Sequence, residues 1–184
     1  MTRMSTMATP WETANIVGPK NALTITPENF TKLAKTAKRP LLVIGAYATK
    51  KGVGLIDLCD YAVRIAKSLE APIAASPGVF SKFKRDQGIP VFCMGIEDLV
   101  NRLKEKQWKG LDGKGNYDLV FFIGGIYYFQ SLMLATLKHF APHIKTVSID
   151  RFFQPNANFS FINMDEGKWK QGLHVMTQQL EGKK

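Results

Sequence analysis

The residues with most scope for chemistry are the glycines and small polar side chains that close short apolar runs. Gly45-Ala46-Tyr47-Ala48-Thr49-Lys50-Lys51 follows Leu41-Leu42-Val43-Ile44 and has the outline of a phosphate-binding loop. It lacks the glycine before the lysine, and neither Ser nor Thr follows Lys51, so the P-loop contacts to phosphate and magnesium cannot be assembled. A GxGxxG fingerprint is also absent, because the glycines after Gly45 are Gly52 and Gly54. Three further apolar runs close on glycine or small polar residues. Pro72–Ala75 ends at Ser76, Leu119–Ile123 at Gly124-Gly125, and Thr146–Ile149 at Asp150-Arg151. A dinucleotide, if bound, is expected to place its pyrophosphate near Gly45-Ala46 and Gly124-Gly125, with Ser76 beside them and Arg151 supplying positive charge. Glycine at a strand end either lets a backbone approach a phosphate or simply lets the chain turn, and both readings stand.

Other constellations carry less. His139 and His143 have the spacing of a helical metal pair, but Pro142 ends the helix between them and no HExxH glutamate accompanies them. Asp112, Asn116 and Asp118 outline a calcium loop, yet Lys114 takes a ligand position and the downstream glutamate is missing. Cys59 and Cys93 are too few for an iron–sulfur cluster or a structural zinc. They are expected to be two buried, reduced thiols. No GxSxG elbow and no acid–base pair emerges, so no catalytic residue and no metal site is assigned. Two aromatic groups remain: Tyr127, Tyr128 and Phe129 after Gly124-Gly125, and Phe152 and Phe153 after Asp150. They suit a hydrophobic cluster under the loop Arg151–Met164, a ring-stacking site, or a protein interface.

The elements that must position these residues follow from pattern. The chain has 184 residues, 45% of them apolar, which is enough for one packed domain. Thr26 and Pro27 open a helix whose face is Phe30, Leu33, Ala34 and Ala37. Apolar strands are expected at Leu41–Ile44, Pro72–Ala75, Ile89–Cys93, Leu119–Ile123 and Thr146–Ile149, with a short sixth at Phe159–Ile162. Helices are expected between them: the stripe Leu55–Leu69, Ile96–Leu103, residues 129–140 and residues 165–180. Alternation of this kind predicts an α/β fold with a doubly wound, mostly parallel sheet of five or six strands. The segments 41–45 and 118–123 should be neighbours at its switch point. Residues 1–25 read as an extended N-terminal arm anchored by Trp11, and 26–184 as a single Rossmann-like domain.

Twenty-five basic residues against fifteen acidic give a net charge of +10, which favours an acidic partner. No RRM, KH or helix-turn-helix signature supports nucleic acid. The longest nearly apolar run, Leu119–Phe129, is well short of the ~20 residues a membrane helix needs, and Met1–Pro10 lacks the apolar core of a signal peptide. A cytoplasmic setting is expected.

Longer stretches resemble a known family. Ala37-Lys38-Arg39-Pro40-Leu41-Leu42 running into Gly45, and Ala71-Pro72-Ile73-Ala74-Ala75, are similar to the epsilon subunit of archaeal acetyl-CoA decarbonylase/synthase. So are Ile144–Arg151 and Asn156–Phe161. The most specific match is Trp108-Lys109-Gly110-Leu111-Asp112-Gly113-Lys114-Gly115-Asn116-Tyr117-Asp118. The resemblance implies the sheet topology of the DHS-like NAD/FAD-binding superfamily. It also implies an accessory role in the carbon monoxide dehydrogenase component, beside a large alpha subunit that carries nickel–iron–sulfur clusters, in an alpha2–epsilon2 arrangement within a larger complex. The epsilon subunit would stabilise that component or pass electrons to FAD. Where the family has a Thr-Gly-Ser-like turn after the second strand, this chain has Ser76-Pro77-Gly78, and Pro77 offers no amide proton. The alternative is a free-standing flavin- or nicotinamide-dependent oxidoreductase on the same fold.

Overall fold

The computed structural model describes residues 21–49, 58–83 and 88–182. Trp11 and the rest of the expected arm up to residue 20, together with Lys50, Lys51, Gly52, Gly54 and Leu55, lie outside the described residues. Helix α1 (Pro27–Thr36) starts as its sequence dictates, with Thr26 Oγ1 accepting from the Asn29 N–H and proline at the first turn. Strand β2 (Pro40–Ile44) follows, then a 3-10 turn at Ala46–Thr49 and helix α2 (Leu58–Leu69). Strand β3 (Ile73–Ala75) leads to a one-turn helix α3 (Pro77–Phe80), and β4 (Val91–Cys93) leads to α4 (Ile96–Lys104). Strand β5 (Leu119–Ile123), α5 (Tyr127–Phe140), β6 (Lys145–Ser148), β7 (Phe159–Ser160) and α6 (Glu166–Glu181) complete the described chain.

A further strand, β1 (Leu23–Thr24), lies inside the stretch expected to be arm and pairs with β7. Among the described residues the sheet therefore has seven strands rather than the expected five or six, in the order β1-β7-β6-β5-β2-β3-β4, with every pair parallel. Apart from β1, this is the doubly wound order in which a central strand feeds one half of the sheet and its neighbour the other. The neighbours at that reversal are β2 and β5, paired from Pro40–Leu119 to Ile44–Ile123. Alternation along β2 sorts its side chains between two cores. Leu42 and Ile44 meet α1, α2 and α6 on one face, and Leu41 and Val43 meet α4 and α5 on the other. No helix among the described residues is long and apolar enough to cross a membrane.

At the amino edge of the sheet, the loop from Trp108 to Asp118 is held by its own polar groups. Arg39 donates to both Asp112 oxygens at 2.7 and 3.0 Å and to the Gly115 carbonyl at 2.9 Å, and its guanidinium lies 5.1 Å from the Tyr117 ring centre. Lys114 N–H donates to Asp112, Asn116 caps the Leu103 and Glu105 carbonyls, and Asp118 accepts from the Lys38 and Arg39 amides. These bonds make the loop a shaped turn. Tyr117 is the buried aromatic, its hydroxyl accepting from Leu111 N–H, whereas Trp108 is only half-buried against it.

Arg39→Ala should cost about 2 kcal/mol at neutral pH, the scale of charge-assisted, partly buried hydrogen bonds. Arg39 holds the Asp112 carboxyl below its ordinary 3.8. The contribution is therefore present above that value and fades as pH falls through the depressed one. Urea unfolding at pH 7 and pH 3 should show a smaller gap between variant and parent in acid.

Candidate functional site

The crevice at the carboxyl edge is built where β2 and β5 end side by side. Gly45 N–H donates to the Ile123 carbonyl at 3.0 Å, and Tyr47 N–H donates to the Gly124 carbonyl at 2.9 Å. A Cβ on Gly45 would sit 2.5 Å from that carbonyl oxygen and 2.6 Å from the Gly125 Cα. Gly124 has φ +68°, and a Cβ there would lie 2.8 Å from the Ala48 methyl. A Cβ on Gly125 would collide with the Gln130 amide. The two strand ends thus interlock, and glycine is what allows it.

Asp150, at the end of β6, fastens the joint. Its Oδ1 accepts from Gly124 N–H at 2.6 Å, and its Oδ2 accepts from Gln130 Nε2 at 2.7 Å. Gln130 also reaches Ser148 Oγ at 3.3 Å, so β5, β6 and α5 share one polar cluster. Burial pushes the Asp150 carboxyl up to about 6, against the pull of the Gln130, Gly124 and Ser148 hydrogen bonds. Beside it, Trp169 Nε1 donates to the Ile149 carbonyl at 2.9 Å and ties α6 to the same strand end.

The fold brings the predicted residues to one edge but gives them other work. Gly45, Ala46, Gly124 and Gly125 adjoin one another, and Gly78 approaches Ala46 so closely that a Cβ there would be 3.1 Å from the Ala46 methyl. Ser76 is the N-cap position of α3, but its side chain makes no cap bond; its amide donates to the Ile44 carbonyl, and its buried hydroxyl has no partner among the described residues. Arg151 projects past the joint and lies over the Phe152 ring, 4.8 Å from its centre. A pyrophosphate at Gly45 and Gly124-Gly125 needs open space and free amides. The Gly45 and Gly124 amides are bonded within the chain, and a Cβ on any of the three glycines would meet the chain itself.

Asp150 and Gln130, the centre of the site, are not among the residues that sequence reasoning selects. The visible signal is a carboxylate ending the buried run Val147–Ile149. Cys93 also departs from expectation. It is exposed, because β4 is an edge strand and Cys93 is its last residue, whereas Cys59 is buried in α2 as expected. Helix α5 ends at Phe140, before Pro142, so His139 and His143 are not on one helix. Among the described residues no group of three or more His, Cys, Asp or Glu could hold a metal ion.

The aromatic groups divide. Phe129 and Phe153 pack against the core between the sheet, α4 and α5. Tyr127, Tyr128 and Phe152 turn outward, 48, 69 and 50% exposed.

The model of a family described as CO dehydrogenase beta subunit/acetyl-CoA synthase epsilon subunit matches residues 4–177. The chain belongs to that family. The epsilon subunit of the acetyl-CoA decarbonylase/synthase complex of Methanothermobacter thermautotrophicus is 40% identical over 167 residues, 91% of this chain and 93% of that one. The corresponding subunit of Methanothrix soehngenii is 41% identical over 162 residues, covering 84% and 81%. Epsilon subunit 1 of Archaeoglobus fulgidus is 38% identical over 160 residues, covering 86% and 83%. The epsilon-family match includes both the glycine joint at the carboxyl edge and the Trp108–Asp118 turn at the amino edge.

Proposed function

We propose that this epsilon-family chain is a non-catalytic subunit of the carbon monoxide dehydrogenase component of acetyl-CoA decarbonylase/synthase. It steadies a larger alpha subunit carrying nickel–iron–sulfur clusters, two copies of each. One observation favours assembly over catalysis. At the carboxyl edge, where this fold class binds its ligands, the glycines and the half-buried Asp150 carboxylate are spent on the protein's own joint, while aromatic side chains face outward. No electron-transfer step is assigned to the chain.

The test is the durability of carbon monoxide oxidation by the large subunit. Activity should decay several-fold more slowly on warming when this chain is present in excess over its dissociation constant, because a ligand of the folded state stabilises it by mass action. Equal decay with and without the chain would contradict a stabilising role.

A further inference from the structure

Four arginines are described, and three of them hold a carboxylate: Arg39 with Asp112, Arg64 with Glu181, and Arg102 with Asp98. Arg151 holds none among the described residues, and its Nε, like that of Arg39, is buried without a partner among them. A guanidinium that no described carboxylate engages is suited, through its outer nitrogens, to a carboxylate from outside the chain. The surroundings favour an anion. Asp165 and Glu166 at the start of α6 hold Lys168 and Lys170, and Asp150 faces Gly124 and Gln130. The first turn of α5 has no acidic residue, unlike those of α1, α2, α4 and α6.

Arg151 lies over the Phe152 ring, and exposed apolar side chains stand on the helix to which the loop after β6 is fastened. Tyr128 and Leu132, one turn apart on α5, are 69 and 60% exposed. Tyr127 donates its hydroxyl hydrogen bond to the Phe153 carbonyl at 3.0 Å, while Gln154 Nε2 donates to the Tyr127 carbonyl at 3.1 Å. Asn156 is fixed to Ser131, and Phe153 N–H to Asn163. The loop after β6 is thus fastened to α5, and its side chains need little further ordering on binding. Rigid Tyr and Phe around an arginine are the composition of an interface centre.

We propose that the surface formed by Tyr127, Tyr128, Leu132, Phe152 and Arg151 docks a protein partner that presents a carboxylate within an apolar surface. This rests on the assembly reading above and names the face that carries it. The partner carboxylate takes the Arg151 guanidinium, which no carboxylate of the described chain occupies, and the rings cover the pair from water.

The test titrates the purified large subunit with the full chain and three variants. Tyr128→Arg and Arg151→Glu should each weaken binding tenfold or more. Phe140→Arg, at the other end of α5 and similarly exposed, should bind as the parent does. Circular dichroism melts should confirm that all three fold. ADP-ribose, a dinucleotide probe, should give no heat with the parent chain. If the parent binds the large subunit and both patch variants match it, this surface is wrong while the assembly reading survives. If the parent does not bind, both fall. ADP-ribose binding that Arg151→Glu abolishes would assign the arginine to a phosphate and overturn the proposal.

Discussion

Replacing Gly45 by alanine should cost roughly 3 kcal/mol or more, the upper range for forcing atoms into a packed interior. The added methyl meets backbone: the Gly124 carbonyl oxygen at 2.5 Å and the Gly125 Cα at 2.6 Å. Neither can swing aside as a flexible side chain would. Moving either breaks the β2–β5 register at the switch point, where Tyr47 N–H is bonded to that same carbonyl. Denaturant unfolding measures this directly. Stability within about 1 kcal/mol of the parent, the ordinary size of a point-mutant effect, would mean that the two strand ends do not interlock.

The second large effect belongs to Asp150, where the substitution decides the sign. Asp150→Ala removes the acceptor of both the Gly124 amide and the Gln130 side chain, and should cost about 2–4 kcal/mol at pH 4. Asp150→Asn keeps an acceptor for Gly124, and Gln130 can turn its amide to match. The parent's own pH dependence comes from the raised carboxyl. Its folded value is about 6 against an ordinary 3.8, so between these the folded state binds more protons than the unfolded one. Stability from this group is therefore highest below about pH 4 and declines as pH rises toward 7, by roughly 3 kcal/mol in total. Relative to the parent, Asp150→Asn should gain stability as pH rises from 4 to 7. Parallel stability curves for the two proteins across that range would show that the carboxyl is not held neutral by burial.

The sheet is legible in the sequence because its central strands are continuous apolar runs. Leu41–Ile44 and Leu119–Ile123 are buried on both faces and cannot be mistaken for amphipathic helices of that length. Strand β1 is not legible: two residues display no period, and its pairing depends on β7, well over a hundred positions away. Between Trp108 and Tyr117 the chain turns at positive φ at Gly110, Gly113 and Gly115, and which of the two rings is buried is not specified by composition alone. The carboxyl-edge glycines stand out, but their role is ambiguous, because a glycine that admits a phosphate and one that admits a neighbouring carbonyl look alike in sequence. Asp150 stands in plain view after β6. Its partners are an amide 26 residues earlier and a side chain 20 residues earlier, contacts that only the packed sheet creates.

Native mass spectrometry of this chain co-expressed with the large subunit proposed as its partner tests the central claim, that the chain is an assembling subunit. The account predicts one dominant species containing two large subunits and two copies of the 20.6 kDa chain. A spectrum holding only the large subunit and the 20.6 kDa chain as separate species would contradict it.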